Sequence, residues 1–337
     1  MRDAGPDDVG ARAAALLGGD RRVLARAITL VESTRDADRR TARALLRAVH
    51  PRTGAAFRLG VSGPPGAGKS TFIEALGVHL ADEGTRLGVL TVDPSSARSG
   101  GSILGDKTRM VELARRPQAF IRPSPAGATH GGVARRTREA MLLLEAWGAD
   151  VVIVETVGVG QSELAAAGMV DQFLLLLPPG AGDDLQGIKR GIMELADLVL
   201  VTKADGDLVA AAERARADYA GAVGLLQPRH AGLPTDVRTV SAIEGRGIAE
   251  AWATLVARRE RLLQDGRLEA QRSAQAGEWM WSEVREGVVA ATSAGPLAGR
   301  AADLEARVRG GEALAEDAAD ELLGLLLAPP TEDVRPG

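Results

Sequence analysis

The chain has 337 residues, a net charge of −4 and no cysteine. Without cysteine, disulfides, thiolate metal sites and cysteine nucleophiles are excluded. The small negative charge gives no electrostatic reason to expect nucleic acid or an anionic membrane as a partner. No apolar run reaches the roughly 18 residues of a membrane-spanning helix. We therefore predict a cytoplasmic protein, long enough for one α/β domain with helical additions.

Three regions follow one another along the chain. Residues 1–55 show helical periodicity and carry 11 Arg against 7 acidic residues, which favours a solvated helical face over a nucleic-acid surface. Residues 56–261 alternate short apolar strands with helices, which predicts an α/β domain with a mostly parallel sheet wrapped by helices. Residues 262–337 form a helical segment that either packs on this domain or provides a dimerisation region. The predicted strands are Phe57–Ser62, Leu87–Asp93, Val151–Glu155, Gln172–Leu177, Leu198–Thr202 and Val237–Ser241.

A phosphate-binding loop follows the first predicted strand and leads into a helix. It matches the pattern G-x-x-x-x-G-K-[ST] in full, and its residues are Gly63, Pro64, Pro65, Gly66, Ala67, Gly68, Lys69, Ser70 and Thr71. The glycines let backbone amides surround a phosphate, and the helix N-terminus adds positive potential. Lys69 is expected to reach the β- and γ-phosphates, and Ser70 to bind Mg²⁺.

Two predicted strands end in a carboxylate, at Asp93 and at Glu155. An acid at the end of an apolar strand is costly unless it has a partner or a ligand. Beside a phosphate loop, we expect these acids to hold Mg²⁺ or its waters, because Mg²⁺ takes oxygen ligands. The alternative is that each acid only caps a helix or lies in a loop. Asp106, in the long glycine-rich segment 93–109, is a further candidate ligand.

The segment after Glu155 has the spacing of a switch. Gly158 is placed to bond a γ-phosphate through its amide and to release it after hydrolysis, and Gly160 adds flexibility. The role of Gln161 remains open, because this residue either orients water or has a structural or partner-contact role. Because neither a water-positioning Gln nor an arginine finger is evident, we predict slow intrinsic turnover that a partner accelerates.

The base is expected to be guanine. Thr202, Lys203 and Asp205 follow a strand where GTP-binding proteins usually have Asn-Lys-x-Asp. Asp205 would accept two N–H bonds from guanine and the stem of Lys203 would cover the ring, whereas Thr202 departs from the usual Asn. Ser241 and Ala242, after the next strand, would contact the guanine carbonyl. Such polar recognition discriminates by about 10⁴–10⁵, so Asp205 favours GTP over ATP.

These segments together resemble the MeaB/ArgK family, over about residues 20–260. The resemblance rests on the phosphate loop and on the segments 93–96, 100–109, 120–125 and 155–162. Members are accessory GTPases of adenosylcobalamin-dependent methylmalonyl-CoA mutase, so the resemblance implies a homodimer that binds GTP or GDP with Mg²⁺, gates cofactor loading and protects a mutase. It also implies phosphate and Mg²⁺ roles for Lys69, Asp93, Asp106 and Glu155. The family's third switch corresponds to a stretch that includes Asp183, Asp184, Gln186 and Lys189.

Two other functions are compatible with a phosphate-binding loop of this kind. A metal-delivery GTPase shares this architecture but usually needs clustered His or Cys, and the 4 His of this chain are scattered. A kinase or ATPase linked to amino-acid transport would need a site for an acceptor hydroxyl, and the sequence indicates none. The client mutase itself is not specified by the sequence.

Overall fold

A computed structural model of the protein describes residues 6–92, 110–123, 130–156, 161–180 and 190–328. Within these ranges the chain divides into two compact units, with the break after Ser273. The first unit contains the sheet, and the second is helical.

The sheet of the first unit is parallel, as predicted. Its strands have the order β3-β2-β4-β1-β5-β6-β7, and every pair of neighbours runs in the same direction. The strands are β1 Phe57–Ser62, β2 Leu87–Val92, β3 Ala119–Arg122, β4 Val151–Thr156, β5 Gln172–Leu177, β6 Leu198–Val201 and β7 Asp236–Thr239. All residues of β1, β2, β4 and β5 are buried, because helices cover both faces.

The helices begin and end as follows. They are α1 Pro6–Leu17, α2 Arg21–Glu32, α3 Asp36–Val49, α4 Lys69–Asp82, α5 Val111–Arg115, α6 His130–Ala146, α7 Gln161–Ala167, α8 Arg190–Glu194, α9 Val209–Gly224, α10 Ile248–Gln264, α11 Arg267–Ala294, α12 Ala298–Arg309 and α13 Ala315–Leu327.

Alternation along the strands divides the core into layers. Odd-numbered residues of β1, β2 and β4, such as Leu59, Val89 and Ile153, pack in one cluster with side chains of α4 and α10. On the opposite face, Gly88 lies against Leu144 of α6, and a Cβ there would approach that side chain to 2.5 Å. A second cluster joins β5, β6 and β7 to α9 around the buried Tyr219.

Several predicted boundaries shift in the structure. Phe57–Ser62 and Gln172–Leu177 have the predicted bounds, whereas β4 continues to Thr156 and β6 ends at Val201. The last strand starts earlier and ends earlier than predicted, at Asp236 and Thr239. The short strand β3 was not predicted. The predicted domain boundaries at 55/56 and 261/262 remain a proposal.

Candidate nucleotide-binding site

The phosphate loop connects β1 to α4 at the carboxyl edge of the sheet. Gly63, Gly66 and Gly68 have φ values of +153°, +78° and +85°, which favour glycine. At Gly63, a Cβ would lie 2.2 Å from the carbonyl oxygen of Leu176, so the neighbouring strand β5 leaves no room for a side chain. The glycines therefore set the path of the loop, and α4 begins directly after Gly68.

The two polar side chains at the start of α4 face the loop and the neighbouring strand. Lys69 is buried, and its Nζ donates to the carbonyl oxygens of Gly63 at 2.7 Å and Pro64 at 3.2 Å. The Oγ of Ser70 donates to Oε1 of Glu155 at 3.1 Å. Glu155 is 3% exposed and is paired in register with Val61 of β1, which brings the acid of β4 beside the loop that follows β1.

This pair supplies the kind of donors that Mg²⁺ prefers, since both the hydroxyl of Ser70 and the carboxylate of Glu155 offer oxygen. The residues present therefore fit the ion. Within the described ranges, no group of three or more His, Cys, Asp or Glu could hold a metal by itself. The other two predicted ligands, Asp93 and Asp106, lie outside the described residues.

Thr202 connects the predicted base loop to the phosphate loop. Its side chain is 5% exposed, and its Oγ1 lies 2.7 Å from the carbonyl oxygen of Ala67 and 3.2 Å from that of Leu177. Lys203, the next residue, has a φ of +56°, and no other non-glycine residue in the described part of the chain has a positive φ. The base loop thus leaves β6 through a tight turn that is anchored to the phosphate loop.

Asp205 and Ser241 meet at the same edge. Oγ of Ser241 donates to Oδ2 of Asp205 at 2.6 Å, and the amide of Glu244 donates to Oγ of Ser241 at 3.2 Å. The amide of Ala204 also bonds the carbonyl oxygen of Val240 at 3.1 Å. The loops after β6 and β7 are therefore tied together around the acid that is predicted to read guanine.

The remaining predicted residues are placed differently. Gln161 is the first residue of α7. The other predicted switch and partner residues lie outside the described residues, and they are Gly158, Gly160, Asp183, Asp184, Gln186 and Lys189.

One polar contact at this edge was missed from the sequence. Oγ1 of Thr156 donates to Oγ of Ser62 at 2.8 Å, and both side chains are fully buried. The bond joins β1 and β4 directly before the phosphate loop and the predicted switch. A hydroxyl residue at the end of each of two apolar strands is the signal that could have identified it.

The fold and the site define the class of protein. A parallel sheet with a phosphate loop between β1 and α4, a carboxylate on the adjacent strand and a base loop after β6 is the architecture of a P-loop GTPase.

The family follows from comparison with known proteins. The model of the family "Methylmalonyl Co-A mutase-associated GTPase MeaB" matches residues 24–296, and the chain belongs to this family. The predicted fold class, the GTPase and the family are thereby confirmed. Membership in a GTPase family implies that the chain binds guanine nucleotides.

Relatives cover most of the chain. GTPase ArgK of Escherichia coli is 50% identical over 271 residues, which are 80% of this chain and 82% of ArgK. The methylmalonic aciduria type A homolog, mitochondrial, of Mus musculus is 52% identical over 287 residues, 81% of this chain and 68% of the mouse protein. A solved structure described as LAO/AO transport system kinase has a TM-score of 0.76 at 38% identity and covers 96% of this chain and 99% of its own.

In the part of the chain that the structure describes, no helix has both the length and the apolar character to cross a bilayer.

Proposed function

We propose that this GTPase acts as an accessory protein of an adenosylcobalamin-dependent acyl-CoA mutase, with methylmalonyl-CoA mutase as the first candidate. In this function it gates the loading of the cofactor and protects the mutase. The observation that carries the proposal is the family match over residues 24–296, because this range contains every predicted nucleotide residue. The name of the mouse relative, which refers to methylmalonic aciduria, supports the same client.

Different side chains at the carboxyl edge of the sheet bind the phosphates, the guanine base and Mg²⁺. Lys69 moves from its carbonyl contacts to the β- and γ-phosphates, and Asp205 accepts hydrogen bonds from guanine while Lys203 covers the ring. Ser70 and Glu155 hold Mg²⁺, directly or through its waters, together with Asp93 and Asp106. When bound, Mg²⁺ neutralises charge on the phosphate oxygens.

Hydrolysis then depends on the positioning of the attacking water and on the stabilisation of negative charge on the phosphate oxygens. Water attacks the γ-phosphorus, the bond to the β–γ bridging oxygen breaks, and the products are GDP and inorganic phosphate. The amide of Gly158 bonds the γ-phosphate and loses this contact on hydrolysis. The stretch that includes Asp183, Asp184, Gln186 and Lys189 relays this change to the mutase, and Gly160 and Gln161 contribute to the same response.

The test is a pull-down with purified methylmalonyl-CoA mutase in the presence of GDP, of a non-hydrolysable GTP analogue, or of no nucleotide. We expect retention of the mutase to depend on the nucleotide, and the GTPase rate to rise when the mutase is added. An acyl-CoA enzyme that does not use cobalamin serves as the control. Equal retention in all three nucleotide conditions, together with an unchanged GTPase rate, would overturn the proposal.

The second unit is proposed to form a homodimer. Its helix α11 exposes Met280, Trp281 and Val284 at 53%, 55% and 45%, and its helix α13 exposes Leu327 at 79%. Large apolar side chains exposed together are typical of interfaces. We expect twice the monomer mass in light scattering after gel filtration, and a shift towards the monomer for Trp281→Glu. A monomeric wild-type protein at micromolar concentration would contradict this.

A kinase is the second candidate, because a solved structure with 38% identity is described as a transport system kinase. The two functions differ in where the γ-phosphate goes. Labelled GTP that yields only free phosphate supports the GTPase alone, whereas label on a protein supports the kinase.

A further inference from the structure

Thr91 lies on β2 beside the predicted magnesium site. It is paired in register with Glu155 of β4, and paired residues of adjacent parallel strands point to the same face of the sheet. That face also carries Leu87 and Val89, which pack in the cluster with α4. The side chain of Thr91 is therefore on the side of the sheet where Ser70 contacts Glu155.

The hydroxyl of Thr91 is one of several buried polar groups without a hydrogen-bond partner in the described residues. The residue is 4% exposed, and its Oγ1 is buried with no hydrogen-bond partner in the part of the chain that the structure describes. A buried hydroxyl without a partner destabilises the fold. Valine would continue the apolar pattern of Leu87 and Val89 with the same shape and without this cost.

The neighbourhood indicates what the hydroxyl binds. Mg²⁺ in proteins keeps several of its waters, and each water needs polar partners to hold it. Glu155 and Ser70 provide such partners on one side, with Oγ and Oε1 3.1 Å apart. The adjacent strand offers one further polar group at this position, which is Oγ1 of Thr91.

We propose that Thr91 is a positioning residue of the magnesium site, whose hydroxyl bonds a water of the Mg²⁺ hydration shell next to Glu155. This inference rests on the proposed Mg²⁺ dependence of the nucleotide site. Thr91 is not among the residues predicted to bind the phosphates or the base, so we expect its effect to act through the ion alone.

The experiment compares Mg²⁺ affinity in three variants. Thr91→Val keeps the shape and removes the hydroxyl, and Thr91→Ser keeps the hydroxyl. Thr137→Val is the matched control, since Thr137 is also buried but donates to the carbonyl oxygen of Val133 in α6 at 2.9 Å. Release of a fluorescent GDP analogue is measured while Mg²⁺ is titrated, with a parallel measurement in EDTA.

We expect Thr91→Val to need about tenfold more Mg²⁺ to slow GDP release, as is typical when a group supporting a metal ligand is lost. GDP affinity in EDTA should be unchanged, and Thr91→Ser and Thr137→Val should follow the wild type. A wild-type Mg²⁺ titration for Thr91→Val would overturn the inference while leaving the proposed function intact. If Mg²⁺ does not affect GDP release from the wild-type protein, the proposed magnesium site itself is wrong.

Discussion

At the scale of single residues, Thr202 shows how one hydroxyl can connect two binding loops. Its Oγ1 lies within hydrogen-bond distance of the carbonyl oxygens of Ala67 and Leu177, but it has one proton to donate. The contact with Ala67 is the shorter, at 2.7 Å, and it joins the base loop to the phosphate loop. Thr202, which stands where Asn is usual, therefore ties the two loops together.

Thr202→Val should separate the two loops. The variant keeps the shape of the side chain but leaves buried carbonyl oxygens with one donor fewer, at a cost of about 1–3 kcal/mol. Since 1.4 kcal/mol corresponds to a factor of ten, we expect GDP affinity to fall about tenfold. Equilibrium titration with a fluorescent GDP analogue measures this. Thr202→Asn restores a donor and should bind like the wild type, and unchanged affinity for Thr202→Val would contradict the connection.

The residue types of the site could be predicted from the sequence, but some of their contacts could not. The order Thr202, Lys203, Asp205 at the end of a strand predicts a base loop. The bond from Ser241 to Asp205 spans 36 positions and depends on how β6 and β7 align, which no local pattern specifies. The predicted contact of a backbone amide at Ser241 or Ala242 with guanine stays a prediction, and the structure adds that the hydroxyl of Ser241 donates to Asp205, the acid predicted to read guanine.

At the scale of elements, the glycines of the phosphate loop are not equivalent. A Cβ at Gly63 would meet the backbone oxygen of Leu176 at 2.2 Å, whereas at Gly66 nothing lies within 4 Å of the added atom. Both have positive φ, which costs a residue with a side chain about 1–2 kcal/mol. Gly63 adds a clash with a strand that cannot move without disturbing the sheet.

Gly63→Ala should therefore abolish nucleotide binding, and it should also lower the midpoint of thermal unfolding. Gly66→Ala is the matched variant and should suffer only backbone strain. We expect its free energy of unfolding to fall by about 1–2 kcal/mol. Calorimetry and GDP titration of both proteins test this. The explanation fails if the two alanine variants are equally stable and bind GDP equally well.

Another element-scale contact attaches the first turns of α11 to the sheet. Asp171 is fully buried and accepts from Nε of Arg272 at 2.8 Å, from Nη2 at 2.6 Å and from the amide of Arg58 at 2.9 Å. Burial lowers the pKa of Arg272, but the hydrogen bonding to Asp171 and the electrostatic attraction of Asp171, Glu145 and Glu269 together outweigh burial, so that its pKa lies above the ordinary value.

Asp171→Asn should be strongly destabilising, because it leaves a half-buried guanidinium without its counter-ion. Breaking a buried pair costs about 3–5 kcal/mol, and we expect a loss near the lower value because Arg272 keeps 18% of its side chain exposed. Glu112→Gln is the control, since it breaks an exposed pair with Arg115 and should cost less than about 1 kcal/mol. Urea unfolding measures both, and similar losses in the two variants would contradict the argument.

The elements themselves were predictable where apolar runs are long. β1, β2, β4 and β5 each have six buried residues, so their patterns were clear. β3 has four residues, between the turn at 117–118 and Pro123, and it lies at the edge of the sheet. Its pairing with β2 depends on tertiary packing, and a run of this length does not distinguish a strand from a loop.

At the scale of the whole molecule, parallel strand order brings the site together. The loop after β1, the end of β4 and the loop after β6 come from distant parts of the chain, yet they meet because parallel strands end at one edge of the sheet. The contacts of Ser70 with Glu155 and of Thr202 with Ala67 connect them directly. A change at the phosphate loop is therefore expected to affect both Glu155, the predicted metal ligand, and the predicted base loop.

Lys69→Ala tests whether this connected site controls a partner. The variant removes the charge that is predicted to bind the β- and γ-phosphates, so GTP hydrolysis should stop and the GTP analogue should no longer be distinguished from GDP. Under the proposed function, pull-down of methylmalonyl-CoA mutase by the variant becomes the same with either nucleotide, and cofactor loading no longer responds to GTP.

Arg216→Ala on α9 removes an equal charge from a half-exposed side chain and should retain the response. Unfolding midpoints establish that both variants fold. If Lys69→Ala folds, lacks hydrolysis and still gates the cofactor like the wild type, the nucleotide does not control the mutase.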